Sequence, residues 1–191
     1  MESQNSKLKS KKYFFSLYIA VIVGLFFYSY TQVDLSLTFS KVAFLHDIIS
    51  SFQQIGYFNR PLSAVIYCLL ILLLTVFYVW FIRLAITKKV KAKQLWLTIF
   101  FTAGLLTFAY NAFSYDIFNY IFDAKIVTHY HANPYIQKAL DYPADPMLSF
   151  MRWTHRVYPY GPAWLGITIP LSFIGNNIFI LTTFVAQGLI N

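Results

Sequence analysis

The sequence predicts an all-α fold: a polytopic transmembrane helical protein with interfacial amphipathic helices in its outer loops. Three observations predict it. Hydrophobic residues make up 58% of the 191 residues and charged residues only 12%, whereas a soluble domain carries about 25% charge. Three apolar runs approach the roughly 20 residues that a helix needs to cross a bilayer. The lysines gather at two places beside those runs, which is a topology signal.

Net charge is +8. Nucleic-acid binding is excluded as the reason, because the lysines flank apolar runs instead of forming a separate basic surface. The single cysteine, Cys68, lies inside an apolar run, so an intrachain disulfide is impossible and no cysteine metal site is suggested.

Residues 1–12 form a basic tail with Lys7, Lys9, Lys11 and Lys12. Residues 13–30 follow without a charge and reach about 27 Å as a helix. No small-residue cleavage pattern follows, so the run is read as a retained signal anchor. Residues 31–60 are mixed. Val42, Ala43, Leu45, Ile48, Ile49 and Phe52 recur at helical spacing, interrupted by His46, Asp47, Ser50 and Gln53. That pattern predicts an amphipathic helix on the membrane surface.

The second span, 61–82, opens with Pro61, whose missing N–H costs nothing in a first turn, and closes at Arg83. A basic loop, 83–94, carries Lys88, Lys89, Lys91 and Lys93, and a third span follows over 95–113. The positive-inside rule puts the tail and this loop in the cytoplasm. Residues 31–60 and 114–162 then face outward. The expected location is the plasma membrane, multi-pass, with the N-terminus cytoplasmic. Residues 163–191 hold one further span or two. A turn at Gly175-Asn176-Asn177 favours two, since paired Asn at mid-membrane is costly. The last segment is shorter than a span, so the chain reads as the front part of a longer protein.

The chemistry concentrates in 114–162. Ser114 or Asp116 can cap a helix. Asp116, Asn119 and Asp123 stand at i, i+3 and i+7, one face of that helix. Ile117, Phe118, Ile121 and Phe122 flank it. A carboxylate at an apolar boundary suits general-base work, because desolvation raises its proton affinity; two carboxylates also suit a divalent metal. His129 and His131 diverge on a helix and make a poor metal pair. Asn133-Pro134 ends the helix in a turn, with Tyr135 next. Arg152, His155 and Arg156, at i, i+3 and i+4, share a face if helical, and lipid phosphate is their natural partner. Tyr158-Pro159-Tyr160-Gly161-Pro162-Ala163-Trp164 forms a rigid turn whose aromatic faces suit a membrane interface or a sugar ring.

Asp116-x-x-Asn119-Tyr120-x-x-Asp123, then Asn133-Pro134-Tyr135, then Tyr158-Pro159-Tyr160-Gly161-Pro162-x-Trp164 resembles the GT-C membrane glycosyltransferases. The likeness is to the prokaryotic polyprenol-phosphate-mannose-dependent mannosyltransferases, over about 105–175. The family often has Arg before the Tyr and Gly after the second Asp, where this chain has Asn119 and Ala124. The resemblance implies inverting transfer of mannose or another hexose from a polyprenyl-phosphate donor to a glycan or lipid acceptor at the outer face. It implies Asp116 as general base, with no cofactor and no metal. Asn119, Tyr120, Asp123, Asn133, Tyr135, His155, Tyr158, Tyr160 and Trp164 would bind substrate, and Arg152 or Arg156 would hold the leaving phosphate. The alternatives are a transporter or flippase of a lipid-linked substrate, or an inactive truncated scaffold. A transporter places ionisable residues near the midplane of its spans, and the three apolar runs contain none.

Overall fold

The computed structural model describes residues 2–37, 42–112, 114–149 and 151–175, with side chains from Tyr13 onward. Among these residues the chain is all-α, with six α-helices and one isolated antiparallel bridge, Lys138 to Val157. It divides into two compact units. The first comprises residues 1–32 and 42–110, the second 33–41 and 111–191.

In the first unit, α1 spans Glu2–Tyr30, so the basic tail is continuous with the expected helix. Its Ser, Gln, Lys and Leu residues tolerate helix, and it contains neither Pro nor Gly. The amphipathic segment becomes α2, Ala43–Gln53, running into a wider π turn, Gln54–Phe58. No residue of α2 is buried, and Phe44, Leu45 and Ile48 are exposed. Gly56 permits the close approach behind it: a Cβ there would stand 1.8 Å from the Thr31 carbonyl oxygen.

The helix α3, Arg60–Ile86, starts where Asn59 caps it, the Asn59 side chain accepting from the Leu62 N–H at 3.4 Å. It continues past Arg83, and the chain then turns through Lys88 at φ 52°. The helix α4, Ala92–Thr107, ends earlier than the expected 113. Phe108 and Ala109 close with tight i−3 bonds, and the Tyr110 N–H donates to Ser29 Oγ at 2.9 Å instead of to a helix carbonyl. Phe113 lies outside the described residues. The 16 residues of α4 make about 24 Å of helix, short of a full span. Among the described residues, two helical stretches are long and apolar enough to cross a membrane: Tyr13–Tyr30 and Arg60–Ile86.

In this unit α1 packs against α2, α3 and α4. Tyr18 packs edge-on against Phe77 and Phe81 and hydrogen-bonds Thr102 Oγ1 at 2.7 Å. Tyr28 hydrogen-bonds Ser63 Oγ at 3.1 Å, and Tyr30 donates to the Phe108 carbonyl at 2.6 Å. Only 6% of the most apolar window of α3 is buried. The core helix of a soluble protein would bury most of such a surface, whereas lipid is a good solvent for it.

The second unit is built on α5, Asp116–Thr128, and α6, Pro162–Ile174. Phe118, Phe122 and Ile126 are at most 1% exposed, and Leu165 and Leu171 on α6 are buried as well. Thr128 Oγ1 and Ser172 Oγ meet at 3.0 Å inside. Pro162 opens α6 in its first turn, and Gly175 caps its end. The Asn176-Asn177 turn and the last helix expected after it lie outside the described residues. Between α5 and α6 the chain makes two 3-10 turns, Ala139–Asp141 and Pro146–Ser149.

Candidate active site

Asp116 opens α5, and its N–H donates to Ser114 Oγ at 3.2 Å. Ser114 thus supplies an oxygen for the helix start, while Asp116 places its carboxyl at the positive end of the helix dipole. Ile117, Phe118, Ile121 and Phe122 are buried, which fixes the rotation of α5. Asp116, Asn119 and Asp123 then line one cleft of about 180 Å³ with Ala139, Met151, Trp153, Arg156, Val157, Pro159 and Tyr160. Drug-sized ligands occupy about 300–1,000 Å³, so this space suits roughly one ring. Seven residues of helix set the Asp116 and Asp123 backbones about 10 Å apart, as two separate stations along the cleft.

Asp123 is 7% exposed, and burial pushes its carboxyl up to about 7. A carboxyl in that state can both donate and accept near neutral pH. Beside it, the Asn119 Oδ1 and the Tyr158 hydroxyl are buried and have no hydrogen-bond partner among the described residues. Burial, reinforced by Tyr135, Asp123 and Tyr160, holds the Tyr158 hydroxyl up at about 12, so it stays a neutral donor. Unsatisfied buried polar atoms are costly; a ligand hydroxyl would satisfy these.

The aromatic residues form one continuous series. Tyr135 meets Tyr158 at 5.2 Å between ring centroids, Tyr158 meets Tyr160 at 5.5 Å, and Tyr160 meets Tyr120 at 5.1 Å. Tyr120 in turn contacts Trp164 at 5.6 Å. Tyr135 also donates to the Tyr160 carbonyl at 3.1 Å, and Tyr120 to the Tyr160 hydroxyl at 3.4 Å. Burial and that bond raise the Tyr120 pKa above its ordinary value. Of these residues, Tyr160 lines the cleft. Asn133 shapes a turn: its Oδ1 accepts from the Tyr135 N–H at 2.9 Å. His131 before it adopts φ 53°, and the His129 ring meets that of Tyr130 edge-on at 4.9 Å.

The basic cluster departs from expectation. Residues 151–157 run as turns and extended chain, so Arg152, His155 and Arg156 share no helical face. The reason is pairing elsewhere: Val157 bridges Lys138, the Leu140 N–H donates to the Thr154 carbonyl at 3.2 Å, and the Tyr158 N–H donates to the Pro134 carbonyl at 2.8 Å. The two arginines separate. Arg152 pairs with Asp34 at 3.6 Å and lies over the Tyr115 ring. Arg156 lines the cleft with its guanidinium over Trp153 at 4.2 Å. His155 is exposed, with its ring 6.3 Å from that of Trp153.

Among the described residues, no group of three or more His, Cys, Asp or Glu gathers as a metal site. Sequence reasoning missed Trp153, Met151, Ala139 and Val157 as lining residues, and also Asp34. Trp153 carried a signal, an aromatic between two arginines. The others lie on no common periodic face.

Across residues 22–187 the chain matches the family described as Alpha-(1->6)-mannopyranosyltransferase, N-terminal domain. It belongs to that family. This family match covers most of the chain, including all of Arg60–Ile86, the later half of Tyr13–Tyr30 and the whole described cleft. It agrees with the mannosyltransferase resemblance carried by the motifs between Asp116 and Trp164, and it is consistent with sugar transfer. No curated protein and no solved structure matches the chain.

Proposed function

We propose that the protein transfers a hexose, mannose by family, from a polyprenyl-phosphate donor to a glycan or lipid hydroxyl, with inversion at the anomeric carbon. The observation that carries this reading is the shared cleft of Asp116, Asn119, Asp123 and Arg156. Asp116 is the general base: it takes the acceptor hydroxyl proton as that oxygen attacks the anomeric carbon. The bond from that carbon to the phosphate oxygen breaks, and the polyprenyl phosphate leaves as an anion. Arg156 faces that charge with donors matched to phosphate geometry. Asp123 and Asn119 hold sugar hydroxyls, and Tyr160 offers a ring face to the sugar. No general acid is required, because a phosphate departs readily as an anion.

In this reading the protein is polytopic and lies in the plasma membrane. Lysines on the tail and on the 83–94 loop place both in the cytoplasm and the cleft outside. The exposed apolar face of α2 rests in the interface. The partners are the lipid-linked donor, the acceptor glycan or lipid, and the bilayer.

The test uses membranes carrying the intact protein and a synthetic polyprenyl-phosphate mannose, with products read for anomeric configuration. Transfer with inversion is expected. Retention of configuration, or no transfer to any hydroxyl acceptor, would overturn the reading.

A further inference from the structure

Two walls of the cleft meet at one carboxylate that the transfer chemistry does not use. One wall is the start of α5, where Tyr115 directly precedes Asp116. The other is the segment from Met151 to Val157, which supplies Met151, Trp153, Arg156 and Val157 to the lining. Asp34 accepts a hydrogen bond from the Tyr115 hydroxyl at 3.2 Å and forms an ion pair with the Arg152 guanidinium at 3.6 Å. Arg152 completes the triangle by lying 4.7 Å from the Tyr115 ring centroid.

Asp34 is itself held in place. Its Oδ1 accepts from the Ser36 N–H at 2.9 Å and the Ser36 hydroxyl at 2.6 Å, and that hydroxyl also reaches the Ser149 carbonyl at 3.2 Å. Its side chain is only 15% exposed, against 61% for Arg152. Val33 beside it is fully buried. The triangle also has a firm base, because the Tyr115 ring packs edge-on at 5.6 Å against Phe118, which is 1% exposed.

We propose that Asp34 is a positioning residue for the candidate active site: through Tyr115 and Arg152 it fixes the separation between Asp116 and the wall that carries Trp153 and Arg156. This rests on the transfer reading above. Asp34 touches no substrate. It acts by keeping the base and the phosphate-facing cation in register, and a misplacement of about 1 Å costs up to about 100-fold in rate. The triangle also accounts for the separate fates of the two arginines: Arg152 holds the wall, and Arg156 faces the ligand.

The experiment has one readout independent of turnover. In a Cys68→Ser background, Ala139→Cys places a lone thiol in the cleft behind the 151–157 segment. Its alkylation by a water-soluble maleimide is timed in the intact protein in detergent. Asp34→Asn and Arg152→Gln should each speed labelling severalfold. The double variant should label no faster than the quicker single, because both break one link. Asp34→Glu should restore slow labelling, and it serves as the comparison if Asp34→Asn folds poorly. Unchanged labelling in both single variants, or additive acceleration in the double, would overturn the proposal.

In transfer assays without the reporter cysteine, Asp34→Asn should lower kcat about 10- to 100-fold with little change in KM for polyprenyl-phosphate mannose. A loss confined to KM would also overturn it. Wild-type protein that transfers no sugar would sink the proposed function alone, because the labelling result still decides whether Asp34 holds the cleft.

Discussion

Tyr130 donates its hydroxyl to Asp145 Oδ2 at 2.7 Å, at the same oxygen that Lys125 reaches as an ion pair. The other oxygen, Oδ1, accepts the Met147 N–H at 2.9 Å. Burial alone would push the Asp145 carboxyl up, but Lys125, Met147 and Tyr130 together hold it below its ordinary value. The Asp145 side chain is 1% exposed and that of Lys125 16%, so the carboxylate has almost no water to fall back on. This cluster ties α5 to the 3-10 turn at Pro146–Ser149. Removing one partner strands the other charge, at about 3–5 kcal/mol. Lys125→Met should therefore lower the unfolding free energy by that amount, and Tyr130→Phe by about 1 kcal/mol, both read by denaturant unfolding of the intact protein. Equal small losses in the two variants would contradict the buried-pair account.

The base assignment stands on Asp116. Asp116→Asn keeps the shape of the side chain and removes its proton affinity. It should cut kcat for mannose transfer by about 100- to 10,000-fold and leave the melting midpoint close to wild type. Full activity in this variant would move the base role elsewhere, with Asp123 the next residue to test.

Asp123 predicts an unusual pH slope. Its folded-state value, about 7, lies above the ordinary carboxyl value, so between those values the folded state binds more protons than the unfolded one. The stabilisation is fully present below about pH 4 and is lost as pH rises through about 7, at up to about 1.4 kcal/mol per pH unit. Thermal melts across that range should show this falling contribution in wild type, and Asp123→Asn should remove it. Identical slopes in the two proteins would show that Asp123 is not desolvated.

Arg156 faces the cleft over Trp153. Arg156→Ala should raise KM for the lipid-phosphate donor and slow departure of the phosphate. Arg156→Lys should recover only part of this loss, since a point charge lacks the planar two-pronged fit. Steady-state kinetics with varied donor would show it, and full recovery by Lys would argue for a purely coulombic role.

Gly56 offers a check within the first unit. With a Cβ placed 1.8 Å from the Thr31 carbonyl oxygen, Gly56→Ala must push two backbone segments apart. Overpacking of this kind costs about 1–3 kcal/mol. A melting midpoint unchanged by Gly56→Ala would mean that the approach is looser than the structure has it.

The helices were legible because their cause is local. Apolar runs, Pro61 at one helix start and Gly175 at another helix end are contained in a few neighbouring residues each. The face shared by Asp116, Asn119 and Asp123 was legible for the same reason, since helical period alone puts i, i+3 and i+7 together. The end of α4 was less so: Ser29, far back in the sequence, takes the Tyr110 N–H and helps to end the helix early. The helical face expected for Arg152, His155 and Arg156 gave way to pairing of that segment with residues 134–140.

The sequence by itself determined an apolar, helix-built chain, with the residues of its candidate site gathered on one segment headed by Asp116, because composition and period act over a few residues. Only the tertiary structure decided which arginine faces the cleft, which carboxyl is desolvated and where Asp34 belongs. Each of these depends on what burial places beside a side chain from distant parts of the sequence, and no local pattern encodes that.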